Sequence, residues 1–202
     1  TVFFFFWEMS RVRAIARVQG IESKMKPRAS EVFRTPQIIF DSLNKEYGPF
    51  DLDVRACDDN ALCTNYYTKE DDALTLLWPA TNAFLNPPYS KTYDFVKEAI
   101  SQLSSCDYAQ LKRVVVLIPA YLETKVFHDL VFKNASEIVL FKARIAYEGP
   151  HVVKPKGRKS NKSMVASFGS VAVVFEKPTK EVRKIRWRTM YSRTGEFLEN
   201  NL

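Results

Sequence analysis

The sequence predicts a three-layer α/β fold with a largely parallel sheet and an antiparallel C-terminal strand pair. Three observations carry this. Helix-like and strand-like segments follow one another in the order helix, strand, strand, helix, strand, helix, strand, strand. The run RVVVLIPA, Arg113–Ala120, is continuously apolar, as in a strand covered on both faces. The last two strands, in EIVLFKARIAYEG and SVAVVFEK, are joined by a loop rather than a helix, which suits antiparallel neighbours. A chain of 202 residues is long enough for one domain with a sizeable core.

Each element has a local reason. In TPQIIFDSLNKEYG, Thr35 is placed to cap a helix and Pro36 suits its first position. Ile38, Ile39, Leu43 and Tyr47 recur at helical spacing, and Gly48 ends it. FDLDVRA alternates Phe50, Leu52 and Val54 with Asp51, Asp53 and Arg55, the period of a strand. CDDNALCTNYYT is turn-rich, with a short strand at Tyr66–Thr68, and DDALTLLW reads as a short apolar turn or helix. NAFLNPPY opens as a strand. KTYDFVKEAISQL follows as a helix with Tyr93, Val96, Ile100 and Leu103 on one face. TKVFHDLVFKNA is helical, and EVRKIRWRTMYS is a last basic strand or hairpin arm.

The division expected is an N-terminal extension, 1–30, non-native or disordered, then a body, 31–178, and a basic C-terminal segment, 179–202. TVFFFFWEM is far shorter than the ~20 apolar residues of a membrane span, and no cationic region precedes it as in a signal peptide. Met9 and Met25 are candidate natural starts. Cys57, Cys63 and Cys106 form no C-x-x-C pair, so neither a disulfide framework nor a zinc site is indicated. The two histidines, His128 and His151, lie apart, which argues against a His-based metal site or a Ser-His-Asp triad. No metal is therefore expected.

The net charge of +7 is unevenly spread. Lys154–Arg193 holds twelve Lys and Arg against two Glu, whereas residues 31–153 are net acidic. A mildly acidic body with a basic C-terminal part is the footprint of a polyanion partner, most simply nucleic acid. Gly149–Ser163, GPHVVKPKGRKSNKS, carries five of the cations on a loop between two strands.

The stretch FLNPPYS, Phe84–Ser90, runs from an apolar strand into an amide, two prolines and an aromatic. Ligands of open α/β sheets sit at the carboxyl ends of strands, and Asn86–Tyr89 falls at such an end. Pro87 and Pro88 stiffen the loop and supply carbonyls without N–H groups. The Asn86 carboxamide oxygen and a rigid backbone carbonyl make a two-acceptor clamp suited to an exocyclic NH2. Tyr89 offers a flat face for a base, a stack worth about 1–3 kcal/mol. Such a clamp favours the pyramidal amine and localises its lone pair, so an aromatic amine becomes a nucleophile without metal or strong base. In isolation the tetrapeptide also reads as a plain turn after a strand.

TPQIIFDSL, FDLDVRACDDNALCTNYYT, EDDALTLLW, FLNPPYS, VVVLIPAYLETKVFHDLV, EIVLFKARIAYEG and SVAVVF together resemble the phage-type, Dam-like DNA N6-adenine methyltransferases. The resemblance runs from Phe33 to Glu176 with the motifs in family order. It implies a Rossmann-like S-adenosylmethionine-dependent methyltransferase fold and adenine in duplex DNA as acceptor, flipped out of the stack. Asn86, Pro87, Pro88 and Tyr89 match the catalytic motif, with Asn86 and the Pro87 carbonyl accepting from N6 and Tyr89 stacking on the base. Thr35 and Pro36 match a segment that meets the methionine part of the cofactor. Asp53 matches the cofactor-binding strand, and Asp72, with Asp71 as competitor, matches the acid that meets the cofactor adenine. Lys154, Lys156, Arg158, Lys159 and Lys162 form the expected DNA-facing loop. Arg183, Lys184, Arg186 and Arg188 form a second basic segment, and the Tyr121–Lys125 loop is a further candidate for reading bases. The family's glycine-rich turn after the first strand is absent, DVRACDD standing there, so the cofactor half is compressed. The rival readings are a methyltransferase of another amine or amide, in RNA or protein glutamine, and an inactive DNA-binding relative. A cytoplasmic protein of a bacterial host or prophage follows, with no obligate protein partner.

Overall fold

A computed structural model describes residues 33–105, 110–148, 164–178 and 184–198. Two apolar strands organise it. β3 (Arg113–Pro119) and β7 (Ser170–Glu176) pair antiparallel over seven residues, and their buried side chains alternate between two cores. Val114, Val116, Ile118, Val171, Val173 and Phe175 enter one core; Val115, Leu117, Ala172 and Val174 enter the other. A strand whose two faces are both covered has no polar side, which is why RVVVLIP and SVAVVF read as unbroken apolar runs.

The helices supply those covers. Helix α1 (Gln37–Tyr47) lays Ile39, Phe40, Leu43 and Tyr47 on one face of the sheet. On the other face lie α2 (Thr92–Ser104) and a π-helical turn, Val126–Val131, that runs into a short α-helix, α3 (Phe132–Asn134). The α2 stripe is Phe95, Val96, Ala99, Gln102 and Leu103; Tyr93, expected on it, is 38% exposed. One turn back from Leu103 the stripe passes through Ala99, and a turn before that through Phe95, so it is centred on that row and leaves Tyr93 at its margin.

Among the described residues the main sheet has seven strands in the order β1 (Leu52–Asp53), β2 (Asn82–Leu85), β3, β7, β4 (Glu137–Lys142), β8 (Arg186–Tyr191), β9 (Phe197–Leu198). β1, β2 and β3 are parallel neighbours, and β4 pairs parallel with β8. β7 runs against both β3 and β4, and β9 runs against β8. The final strands expected as an antiparallel pair, β4 and β7, are adjacent, but β7 is inserted between β3 and β4 rather than added at an edge. The segment expected as one strand over EIVLFKARIAYEG splits into β4 and β5 (Ala146–Tyr147), and β5 pairs with β6 (Met164–Val165) in a separate ribbon.

β1 is shorter than its alternation suggests because its flanks are held by side chains. The Asp51 carboxylate accepts the N–H groups of Thr81 at 2.8 Å and Asn82 at 3.1 Å. Tyr66 forms only an isolated bridge to Asp53, parallel to β1. Gly48 ends α1 as expected, for a steric reason: a Cβ there would collide with the Asn44 carbonyl and side chain. Gly195 takes φ +72° in the turn between β8 and β9, which presses this hairpin onto Ser42 of α1. No helix among the described residues is long and apolar enough to cross a membrane.

Candidate active site at the carboxyl ends of the strands

β2, β3, β4 and β8 all point the same way, so the segments that follow them share one rim of the sheet. Asn86–Pro88 leaves β2 there and turns through Tyr89–Lys91 into α2. The Lys91 N–H closes this turn on the Pro88 carbonyl at 2.9 Å, and the Thr92 hydroxyl donates to the Tyr89 carbonyl at 3.1 Å. Two fixed proline φ angles and these bonds make the loop stiff.

The Asn86 carboxamide nitrogen donates to the Phe33 carbonyl at 3.0 Å and to Thr35 Oγ1 at 3.1 Å. Neither Asn86 Oδ1 nor the Pro87 carbonyl accepts a hydrogen bond from the described residues. Two consecutive residues at the end of a buried strand thus each keep an acceptor without a donor among the described residues.

Around them is an aromatic cluster drawn from distant parts of the chain. The Phe33 ring stacks on Tyr89 with centroids 5.5 Å apart and planes 27° off parallel. Phe168 meets Tyr89 edge-on at 5.2 Å, and Tyr147 lies 5.3 Å from Phe33. Tyr121 touches Phe168 from the rim at 6.0 Å. The Tyr147 hydroxyl shares a 3.0 Å hydrogen bond with Ser170 Oγ, and burial pushes its ionisation up to about 12. The Tyr89 hydroxyl is buried facing that of Tyr147 but completes no hydrogen bond with it. Burial, and then Tyr147, raise its pKa far above the ordinary tyrosine value. Sequence reasoning misses Phe33, Tyr147 and Phe168, because single aromatics at strand boundaries carry no local signal of a shared cluster.

Of the four expected cofactor contacts, Asp72 and Pro36 line two separate cavities among the described residues. Asp72 lines a cleft of about 160 Å³ with Arg55, Thr68, Lys69, Pro88 and Lys91 among its walls. Asp72 holds φ +47°, a left-handed position that Asp tolerates better than most residues. Its competitor Asp71 is occupied: its Oδ2 accepts from the Thr68 N–H and hydroxyl, both at 2.8 Å. Asp53 is 3% exposed and lies under the loop that supplies Arg55, accepting the N–H of Leu62 at 3.2 Å and of Arg55 at 3.3 Å. Burial pushes its pKa up to about 6 against those two hydrogen bonds. Thr35 is turned to Asn86. Pro36 lines a separate groove with Ile38, Arg144, Glu148, Ser192 and Arg193 on the same rim.

Of the expected DNA contacts, Lys154, Lys156, Arg158, Lys159 and Lys162 lie outside the described residues, as does Arg183. The β5–β6 ribbon from which that segment departs and to which it returns is described, and it places Tyr147 in the aromatic cluster. Arg186 stands at the start of β8, on the rim of the sheet opposite Asn86 and four strands across from β2, about 19 Å sideways at the usual spacing. It pairs there with Glu137, Nη2 to Oε2 at 2.9 Å, and Glu137 is 2% exposed. Arg188 bonds Glu46 at 2.5 Å and stacks over Phe197 at 4.0 Å. Among the described residues no group of three or more His, Cys, Asp or Glu is placed to hold a metal.

A stiff Asn-Pro-Pro-Tyr loop at a strand end, an amide anchored through its nitrogen and a cluster of aromatic rings invite comparison with known proteins. The profile of the family described as DNA N-6-adenine-methyltransferase (Dam) matches residues 22–198. A protein of Escherichia phage T1 named DNA N-6-adenine-methyltransferase is 32% identical over 114 residues, 56% of this chain and 45% of that one. A protein of the same name from Haemophilus phage HP1 is 34% identical over 119 residues, 58% of this chain and 66% of its own length. The chain thus spans between about half and two thirds of these two relatives. With the profile covering most of its length and ending inside the β8–β9 hairpin, the chain belongs to the DNA N-6-adenine-methyltransferase (Dam) family.

Proposed function

We propose that this chain transfers a methyl group from S-adenosylmethionine to N6 of adenine in duplex DNA, on a Rossmann-like methyltransferase fold with a compressed cofactor half. The observation that carries the reading is the Asn86 carboxamide, anchored through its nitrogen so that Oδ1 and the neighbouring Pro87 carbonyl are both left without donors among the described residues. Two adjacent acceptors match the two hydrogens of an exocyclic amine. The cofactor supplies an electrophilic methyl group when bound. The chain's part would be to hold N6 pyramidal between Asn86 Oδ1 and the Pro87 carbonyl, with its lone pair localised and ready to take up the methyl group that the cofactor would supply. The surplus N6 proton then passes to water. Tyr89 stacks on the base. In the arrangement described, Phe33 covers one face of Tyr89, so a base using that face displaces the Phe33 ring.

The cleft beside Asp72 fits part of the cofactor. Arg55, Lys69 and Lys91 suit a carboxylate, Asp72 suits an ammonium or ribose hydroxyls, and Ala73 and Phe95 are apolar. Its volume of about 160 Å³ is below the roughly 300–1,000 Å³ of whole-ligand sites, so it would hold only one end. Asp53 would act through the Arg55–Leu62 loop it anchors, and Pro36 would border the remainder.

Reaching an adenine in a duplex requires flipping it out, at a cost of a few kcal/mol that phosphate contacts help to offset. Lys154, Lys156, Arg158, Lys159 and Lys162 would provide those contacts, because their segment springs from the ribbon holding Tyr147. Arg144 and Arg193, which sequence reasoning passes over, flank the same rim. Arg186, paired with Glu137 at the amino end of β8, lies on the rim opposite Asn86 and is left out of the proposed interface. The setting would be the cytoplasm of a bacterial host. The test is transfer of labelled methyl from S-adenosylmethionine to unmethylated duplex DNA, with the nucleosides identified by mass spectrometry. N6-methyladenine is the expected product; labelled RNA or protein with unlabelled DNA would overturn the reading.

A further inference from the structure

Thr35 precedes a helix, where threonine ordinarily caps the first turn. Here α1 has no side-chain cap. Thr35 is 7% exposed, and its hydroxyl instead accepts from Asn86 Nδ2, 51 residues away in sequence, while the Phe33 carbonyl accepts from the same nitrogen. A carbonyl cannot donate, so the atom facing Phe33 must be the NH2 group. Both hydrogens of that group are then used, and the planar carboxamide must present Oδ1 on its other side. The Phe33 carbonyl thus selects which end of the amide faces it, but the final torsion of asparagine is broad, and the Thr35 hydroxyl narrows it.

We infer that Thr35 is a positioning residue, whose hydroxyl locks the Asn86 carboxamide with its oxygen toward the acceptor amine; this rests on the adenine-methylating reading above. Without that hydroxyl the amide swings more widely about its torsion on the Phe33 anchor, and Oδ1 is held on the substrate NH2 for less of the time. The inference also gives the TPQ segment a task apart from the cofactor: it ties the chain before α1 to the loop after β2.

The test uses the full chain with uniform 15N label and follows the side-chain NH2 signal of Asn86, assigned by its disappearance in Asn86→Asp. Thr35→Val removes the hydroxyl at constant shape, Thr35→Ala removes it in a second way, and Thr35→Ser keeps it. In Thr35→Val and Thr35→Ala the Asn86 NH2 signal is expected to move and to exchange with water about tenfold faster, the loss of one hydrogen bond. Thr35→Ser is expected to restore it. In methyl transfer, kcat of the Val variant is expected to fall by about tenfold with KM for DNA unchanged, and Ser to recover the rate. An Asn86 signal unchanged in the Val and Ala variants would overturn the inference. So would a raised KM for S-adenosylmethionine with the Asn86 signal intact, which would make Thr35 a cofactor contact. Absence of any methyl transfer to adenine by the unaltered chain would sink the proposed function, while the NH2 signal would still decide the orientation.

Discussion

Replacing Asp53 by Asn should change how stability depends on pH. The Asp53 carboxyl is buried at the end of β1, and burial lifts its pKa from the ordinary 3.8 to about 6, against hydrogen bonds from the N–H groups of Leu62 and Arg55. The folded chain therefore holds this proton more tightly than the unfolded chain. Its contribution to stability is full below the unfolded value and is lost as pH rises through about 6. Over that interval the loss amounts to about 3 kcal/mol, at about 1.4 kcal/mol per pH unit. The carboxamide introduced by Asp53→Asn would not titrate. It can accept only one of the two N–H groups and would turn its own NH2 toward the other, a pH-independent cost of about 1–3 kcal/mol. Urea unfolding of both proteins, followed by circular dichroism from pH 4 to pH 7 at constant ionic strength, isolates the effect, because other titrations cancel in the difference. The variant should gain about 2.5 kcal/mol relative to the unaltered chain between the two ends of that range, since the unfolded carboxyl is already partly ionised at pH 4. Parallel stability curves would refute the argument, and a difference of opposite sign would mean that Asp53 is held ionised by a partner.

Asn86→Ala should lower turnover by about a hundredfold or more, since it removes an acceptor at the reacting atom, and should cost about 1–3 kcal/mol of stability because the Phe33 carbonyl and the Thr35 hydroxyl lose their donor; near-normal turnover in the folded variant would remove the clamp from the mechanism. Tyr89→Phe deletes a buried hydroxyl that completes no hydrogen bond among the described residues, so thermal unfolding should show equal or greater stability, by up to about 1 kcal/mol, and methyl transfer should persist through the ring. Tyr89→Ala should lose activity; retention would remove the stacking role. Changing Lys156, Arg158 and Lys159 together should weaken DNA binding and flatten the plot of log affinity against log salt by up to about three, at ~0.9 for each phosphate contact. An unchanged slope in fluorescence anisotropy titrations would take that segment out of the interface.

What could be read from the sequence follows the range of the forces involved. The α1 stripe, β2, β3 and β7 are legible because burial on one or two faces imposes a period on neighbouring residues. The Asn-Pro-Pro-Tyr loop is legible because stiffness and acceptors are local chemistry. The position of β7 between β3 and β4 is not, since sequence order does not state sheet order. Thr35 illustrates the same limit: every local rule makes it a cap, and a partner 51 residues on claims its hydroxyl. Asp53 follows the strand alternation toward solvent, yet the loop from Arg55 to Leu62 folds over it and buries it. Arg186 looks like one more cation in a basic run, and only the register of β8 against β4 sets it beside Glu137.

The inserted strand β7 also bears on synthesis. It pairs along seven residues with β3 and four with β4, so it is the seam between the two parts of the sheet. As the chain leaves the ribosome, Arg113–Pro119 emerges long before Ser170–Glu176. Until the later strand arrives, the apolar β3 has a bare edge on one side, the kind of edge that recruits other chains. A nascent chain halted before Ser170 should therefore need a chaperone rather than fold by itself, and its assembly is a late, nearly all-at-once event.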